Sequence, residues 1–126
     1  MAGKFVISTT ENSEYTFNLK AANGEVILTA PITYATLDAC ESGVASVKAN
    51  ALAPIEDQTR EEAQDSPKYE IYQDKAGQFR FRLKDGKSEI IGQSEGYKAK
   101  ASAKKGIASI GKNAPSAVVI VQPSQQ

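Results

Sequence analysis

The sequence predicts an α+β fold built from two tandem β3-α-β repeats, and two observations carry this prediction. The chain aligns with itself at an offset of 64 residues and then, after one skipped residue, at an offset of 63. Of the 43 aligned positions 13 are identical, where average composition gives about two or three. Each copy also changes from the period of a strand to that of a helix. We therefore interpret the chain as a duplication.

Three strands are expected to open each repeat. In the second repeat, residues 68–72 and 78–84 alternate apolar and polar side chains, and a third strand is expected around 88–93. Turn signals separate these strands, at Asp74–Gly77 and at Asp85-Gly86. The first repeat follows the same plan with Phe5/Ile7, Tyr15/Phe17/Leu19 and Val26–Leu28. The pattern predicts a three-stranded meander.

A helix is expected after each meander. Apolar residues recur at steps of three and four, namely Leu37, Cys40, Val44, Val47 and Ala51, then Ala103, Ile107, Ile110 and Ala114. Gly43 and Gly106 occupy the middle of these helices, and their recurrence predicts close packing of helix on sheet.

The helix ends have their own signals. Thr36 is the expected N-cap of the first helix, whereas Ala99 in the second is a poor cap that costs about 1 kcal/mol. Asn50 and Asn113 stand where the helices should end, and asparagine tolerates the left-handed conformation that often closes a helix. Pro115 then blocks continuation of the second helix.

A short strand is expected after each helix. Residues 117–121 are rich in β-branched side chains, whereas Pro54 limits residues 53–55 to an edge or short strand. The segment that follows, from Glu56 to Pro67, holds five acids and one arginine and is expected to be a solvated tether. We therefore divide the chain into a first repeat at 1–57, an acidic linker at 58–67 and a second repeat at 68–126.

The second repeat resembles the YegP-like family of small bacterial domains of uncharacterised function. The resemblance rests on three motifs, Lys68–Gly77 with Phe79–Lys84, Ser94–Tyr97, and Gly106–Ile110 with Asn113-Ala114. The first repeat matches more loosely over 4–51. The resemblance implies that tandem units, or a dimer of single units, share one continuous antiparallel sheet with their last strands exchanged. Such an exchange would also cover exposed sheet edges. It implies no activity, catalytic residue or cofactor.

Composition excludes several classes of function. The chain has no His, no Trp and one Cys, which removes His-based catalysis, His/Cys zinc sites and an intramolecular disulfide. The N-terminal residues lack the apolar core of a signal peptide, and the longest apolar run has five residues, Ala117–Val121. These features favour a soluble cytoplasmic protein without a membrane partner.

The net charge of zero conceals an asymmetry between the halves. Residues 1–67 carry −6 and residues 68–126 carry +6. The candidate residues for binding an anionic partner all lie in the second repeat: Arg80, Arg82, Lys84, Lys98, Lys100, Lys104 and Lys105, with Tyr72 and Tyr97 available for stacking. Such a partner is expected to be nucleic acid or an acidic protein surface.

Two alternatives stand beside anion binding. In the first alternative, the cations are simply solvated on the open side of a half-buried sheet, and some of them face Glu70 or Glu89 across strands. In the second alternative, the acidic linker folds back over the basic repeat.

The remaining side chains argue against an enzyme. Cys40 lies on the apolar helix stripe and is expected to be a buried hydrophobe. Tyr34 and Tyr97 precede the helices and are expected to pack there with their hydroxyls at the surface. No close constellation of acids, lysines and tyrosines suggests acid-base catalysis, and phosphate-loop motifs are absent. We expect a monomer with pseudo-two-fold symmetry, without cofactor or metal. Its leading function is a non-enzymatic binding or interaction module, and the alternative is weak, sequence-nonspecific nucleic-acid binding.

Overall fold

Each repeat folds as three strands, a helix and a fourth short strand. A computed structural model describes residues 3–57 and 66–122. The first repeat contains β1 (Lys4–Thr9), β2 (Tyr15–Lys20), β3 (Val26–Thr29), α1 (Leu37–Asn50) and β4 (Ile55–Asp57). The second contains β5 (Lys68–Gln73), β6 (Phe79–Lys84), β7 (Ile90–Gln93), α2 (Lys100–Asn113), a 3₁₀ turn (Ala114–Ser116) and β8 (Val118–Val121). The predicted α+β architecture is confirmed.

The two repeats share one sheet of eight strands in the order β4-β5-β6-β7-β3-β2-β1-β8. The last strand of each repeat lies beside the first strand of the other, so the expected strand exchange is confirmed. One part of the expectation is wrong, because the sheet is not wholly antiparallel. Strand β8 runs parallel to β1 and β4 runs parallel to β5. The sheet is mixed because each exchanged strand pairs with the first strand of the other repeat and runs in the same direction as that strand.

A pseudo-two-fold axis passes between β3 and β7 at the centre of the sheet. The two strands share a single paired position, Thr29 with Gln93. Leu28 pairs with Leu19 in the first repeat, and Gly92 pairs with Leu83 in the second. Leu28 and Gly92 are therefore equivalent positions that meet beside the axis.

Both helices cover the same side of the sheet. Alternate strand residues such as Phe5, Ile7, Tyr69 and Ile71 join side chains of α1 and α2 in one buried cluster. The opposite side, which we call the open face, carries the other half of the alternation and has no described element packed on it. Any function of the strand cations is therefore located on the open face.

The helix starts agree with the sequence, whereas the helix ends do not. The hydroxyl of Thr36 accepts a hydrogen bond from the Ala39 N–H at 3.1 Å, and Ala99 makes no side-chain cap. The prediction of left-handed ends is wrong, because Asn50 and Asn113 both stay in the right-handed region. Their amides instead donate to the carbonyl oxygen four residues earlier. Within the described ranges, no helix is long and apolar enough to cross a membrane.

Equivalent turns of the two repeats adopt the same backbone conformation with different residues. The left-handed position of the first turn is Ser13 in the first repeat and Gly77 in the second. In the second turn it is Gly24 and Ser88, so Gly86 is not the residue with positive φ. Most of the acidic linker, residues 58–65, lies outside the described residues, and so does the possibility that it folds over the second repeat.

Candidate functional site

The nine candidate residues are distributed over two sides of the molecule. The open face carries Tyr72 on β5 and Arg80, Arg82 and Lys84 on β6. The helix side carries Lys100, Lys104 and Lys105 on α2, with Lys98 two residues before it. Tyr97 lies beneath α2, stacked on Phe81. The tertiary structure thus does not bring the cations into one basic surface.

The strand cations surround a buried carboxylate. Glu70 is 2% exposed and lies directly across from Arg82 in the ladder between β5 and β6. Its Oε1 accepts from Arg82 Nε at 2.6 Å, and its Oε2 lies 3.1 Å from Lys84 Nζ and 3.3 Å from Lys68 Nζ. Lys68 Nζ also contacts Glu56 of β4 at 3.0 Å. We call these five residues the acid-centred cluster.

The cluster holds its charges by mutual compensation. Burial alone would raise the pKa of the Glu70 carboxyl, but the hydrogen bonds from Arg82, Lys84 and Lys68 outweigh it, and that pKa lies below its usual value. The hydrogen bond to Glu56 raises the pKa of the Lys68 ammonium against the effect of burial. Glu70 therefore keeps its negative charge at neutral pH, and it neutralises much of the basic character predicted for β6.

Arg80 and Tyr72 extend the cluster along the open face. Arg80 Nε donates to Asp74 Oδ2 at 2.7 Å, and Asp74 Oδ1 accepts from the N–H groups of Ala76 and Gln78. The hydrogen bond from Arg80 is the main reason why the pKa of Asp74 is lowered. The guanidinium carbon of Arg82 lies 4.5 Å from the centre of the Tyr72 ring, a cation–π contact. These side chains are held in place by neighbours on adjacent strands.

Acid is expected to destabilise the protein through these carboxyls. An unfolded glutamate has a pKa of about 4.3, and the folded Glu70 and Asp74 lie below their usual values. The unfolded chain therefore takes up protons first, so the stabilisation is complete above about pH 5 and is lost as the pH falls through the folded pKa. The urea concentration at the unfolding midpoint, measured from pH 7 to pH 3, should therefore decrease as the pH falls below about 5. Glu70→Gln should flatten the decline while Glu89→Gln, an exposed control, should not; equal slopes in wild type and Glu70→Gln would contradict the assignment.

The first repeat lacks this cluster. Its equivalents of Glu70 and Arg82 are Val6, which is 5% exposed, and Asn18, which pair across β1 and β2. The Oδ1 atom of Asn18 is buried and, within the described part of the chain, has no hydrogen-bond partner. On the exchanged strands, Glu56 pairs with Glu70 whereas Ile120 pairs with Val6. The duplicated open face is therefore charged at the β4 edge and apolar at the β8 edge.

Part of this cluster could be predicted from the sequence. The alternative that strand cations face Glu70 is what the structure contains, because the hairpin register places Glu70 opposite Arg82. Glu56 was expected in the linker and was missed as a cluster member. A signal for it was available, because the strand exchange implied by the family resemblance brings the end of the first repeat beside β5.

The α2 lysines form a separate feature. Lys100 Nζ lies 2.8 Å from Asp57 Oδ2 and 5.8 Å from the centre of the Phe79 ring. Lys98, Lys104 and Lys105 are exposed, and no carboxylate of the described residues lies within ion-pair distance of them. The α2 sequence contains no acidic residue. Lys104 and Lys105 on this helix therefore present positive charge that no carboxylate of the described residues offsets.

Tyr97 and Tyr34 are packing residues beneath the helix glycines. A Cβ at Gly43 would lie 2.6 Å from the Tyr34 hydroxyl, and one at Gly106 would lie 2.9 Å from that of Tyr97. The close helix packing predicted from both glycines is confirmed, but the hydroxyls face the helix backbone instead of projecting into solvent. Burial raises the pKa of both phenols. Tyr97 is therefore unsuited to stacking on a nucleic-acid base.

Cys40 is fully buried in the core, as predicted. Burial, followed by the nearby Glu41 charge, raises the pKa of its thiol to about 11. The thiolate that nucleophilic chemistry needs is therefore scarce at neutral pH. In the part of the chain that the structure describes, no group of three His, Cys, Asp or Glu residues could hold a metal ion.

Comparison with known proteins gives consistent matches. The sequence profile described as "Domain of unknown function (DUF1508)" matches residues 11–57 and 74–120. The UPF0339 protein YegP of Yersinia pestis is 38% identical over 117 residues, covering 93% of both chains. A solution NMR structure titled as a protein of unknown function, yegP from E. coli, has a TM-score of 0.81 and 34% identity, covering 100% of this chain and 97% of that one. A UPF0339 protein of Shewanella oneidensis has a TM-score of 0.78 and 30% identity, covering 96% and 92%.

Proposed function

Because the chain belongs to the DUF1508 family, as its resemblance to YegP-like proteins predicted, and no function comes with that family, we propose a function from its surface alone. The protein is a small, non-enzymatic protein-interaction module. Its recognition surface is the platform formed on the open face by Tyr72, Arg80, Arg82 and Lys84. The observation that carries this proposal is that these four side chains are partly exposed to solvent and yet held in place by neighbouring strands.

Preorganisation is what makes the platform suited to binding. Immobilising a long side chain at an interface costs about 0.5–1.5 kcal/mol. Asp74 and Glu70 already order Arg80 and Arg82, so these side chains lose little further conformational freedom when a partner binds. Tyrosine and arginine are also the side chains that most often carry binding energy at protein interfaces.

The mixed charge of the platform favours a protein partner over a polyanion. Glu70 and Asp74 lie among the cations and reduce the attraction for a phosphate backbone. A protein surface can instead place carboxylates on the arginines and an apolar group on the Tyr72 ring. We also place this module in the cytoplasm, because its one thiol is free and buried.

Site-directed crosslinking tests this function. Tyr72 is replaced by the photoreactive amino acid benzoylphenylalanine in the full chain, and the protein is irradiated in cells that make it. Ser8 occupies the equivalent open-face position of the first repeat and provides the matched control. We expect a discrete protein adduct from position 72, none from position 8, and loss of the adduct on Arg80→Glu. No adduct at 72, or equal adducts at both positions, would overturn the proposal.

A second candidate function, nonspecific nucleic-acid binding, is favoured by two exposed lysines in the middle of α2. Lys104 and Lys105 are adjacent, exposed and free of acidic neighbours on their helix. The test is a salt titration of binding to single- and double-stranded oligonucleotides. If this function holds, Lys104→Glu with Lys105→Glu lowers the salt slope by roughly two on duplex DNA, whereas Arg80→Glu changes it little. Absence of binding at low salt would exclude it.

A further inference from the structure

Strand β8 is an edge of the sheet, and among the residues that the structure describes no further strand pairs with its outer side. All four of its residues are apolar and β-branched, and their exposures are 62% for Val118, 38% for Val119, 41% for Ile120 and 45% for Val121. Exposed apolar edge strands are templates for pairing with another strand. The opposite edge is built differently, because β4 has three residues, follows Pro54 and carries Glu56 and Asp57. Only the β8 edge has the features that favour strand addition.

Along β8, the backbone N–H and C=O groups point alternately toward β1 and away from it. The Gln122 N–H bonds to the Ile7 carbonyl at 2.9 Å, so alternate residues, including Ile120, direct their backbone groups toward β1. Val119 and Val121 consequently direct their N–H and C=O groups outward. These are the groups that an added antiparallel strand would use.

We propose that β8 pairs antiparallel with β8 of a second copy of this chain, about a two-fold axis at Ile120. In that register the two copies of Ile120 face each other. Val119 and the partner's Val121 exchange both backbone hydrogen bonds, and the symmetric pair does the same. This inference does not rest on the proposed platform, which lies on β5 and β6 near the other edge of the sheet.

The β8 sequence is self-complementary in this arrangement. The segment Val119-Ile120-Val121 reads the same in both directions and contains no charge that would be repelled across the axis. On the open face, the facing Ile120 side chains continue the apolar surface of buried Val6. On the helix side, the partner's Val121 lies beside Val119. Cross-strand pairs of β-branched residues are favourable.

A groove beside β8 adds charge complementarity. It has a volume of about 130 Å³ and is lined by Val119 and four residues of α1, namely Glu41, Val44, Ala45 and Lys48. Glu41 and Lys48 stand two helical turns apart, and neither makes a salt bridge with another described residue. The two-fold axis inverts their order along the strand. In the proposed dimer, the end of α1 that carries Glu41 therefore faces the end of the partner's α1 that carries Lys48.

The interface is small, so we expect a weak and closed dimer. A stable interface buries roughly 800 Å² from each partner, more than a four-residue strand and one helix flank provide. Because the β4 edge is short and acidic, the assembly stops at two copies instead of growing into a fibre. A reversible dimer would replace the monomer expected from the sequence.

Sedimentation equilibrium on the full chain tests the proposal. The mass should rise from 13.5 kDa toward twice that value between about 10 μM and about 1 mM. Val119→Pro removes an outward N–H and the Val119 side chain at the interface but none of the groups that bond to β1, and dimerisation should weaken by about tenfold or more. Ile55→Pro is the matched control, because Ile55 pairs with Tyr69 as Val119 pairs with Phe5. It should shift the dissociation constant by less than about twofold.

A charge swap keeps the proposal testable if Val119→Pro fails to fold. Lys48→Glu places like charges opposite each other twice and should weaken the dimer, and Lys48→Glu with Glu41→Lys should restore it. A protein that stays monomeric at about 1 mM would overturn the proposal. So would Ile55→Pro abolishing the dimer, or a charge swap that restores nothing.

Discussion

Gly92→Leu is expected to unfold the protein or to cost about 3 kcal/mol or more. A Cβ at Gly92 would lie 2.7–2.9 Å from three side-chain carbons of Leu28. Leu28 is 1% exposed and occupies the equivalent position of the other repeat. The two positions meet beside the pseudo-two-fold axis, where only one of them can carry a large side chain. Urea unfolding midpoints measure the loss.

The interchanged variant provides the control for this prediction. Leu28→Gly alone should cost about 3–5 kcal/mol, because it empties the space beside the axis. Leu28→Gly combined with Gly92→Leu places the one large side chain on the other repeat. We expect the double variant to be more stable than Gly92→Leu alone. Losses that simply add would show that the two positions do not share one space.

Glu70→Ala is expected to cost about 2–3 kcal/mol. Glu70 is 2% exposed and compensates Lys68, Arg82 and Lys84. Without it, these three cations face one another and lose the carboxylate that they share. Because the cations retain some contact with water, the cost falls below that of breaking a fully buried pair. Chemical unfolding at pH 7 measures it, and the exposed Glu89→Ala should stay within about 0.5 kcal/mol.

The first repeat suggests how the loss can be repaired. It carries Val6 and Asn18 where the second carries Glu70 and Arg82. Glu70→Val with Arg82→Asn transfers that pair to the second repeat and removes one of the cations that Glu70 would otherwise neutralise. We expect the double variant to be more stable than Glu70→Val alone. If Arg82→Asn instead adds to the damage, Arg82 contributes through contacts other than that with Glu70, such as its contact with Tyr72.

Both predictions concern positions where the duplicated halves differ. Identical residues, such as Phe17 with Phe81, revealed the repeat and hence the meander and the helices. Three of the four residues of the proposed platform, Tyr72, Arg80 and Arg82, stand at positions where the two repeats differ. Glu70 and Val6 differ in sequence, but only the register between β5 and β6 shows that Glu70 is the centre of an ion cluster. Glu56 joins that cluster from the other repeat through the strand exchange.

The two incorrect details of the fold have local causes. An asparagine at a helix end can adopt the left-handed conformation or donate to an earlier carbonyl. The second option prevailed at Asn50 and Asn113, because the chain continues from both helices in the right-handed region. The direction of β4 and β8 is not encoded in either strand. Each of these strands follows a helix that carries the chain across the sheet to the edge formed by the other repeat, and this connection sets the strand's direction.

The sequence by itself determined the duplication, the order of elements, the apolar faces of strands and helices and the burial of Cys40, because these depend on periodicity and spacing along the chain. The family resemblance added the strand exchange. The tertiary structure decided the parallel pairing of the exchanged strands, the division of the cations between the open face and α2, and the compensation of the strand cations by Glu70 and Glu56. The physical reason is that a charge acts through its neighbours in space. The exchange places Glu56 of the first repeat beside Lys68 of the second, so the second half of the sequence does not contain its whole electrostatic environment.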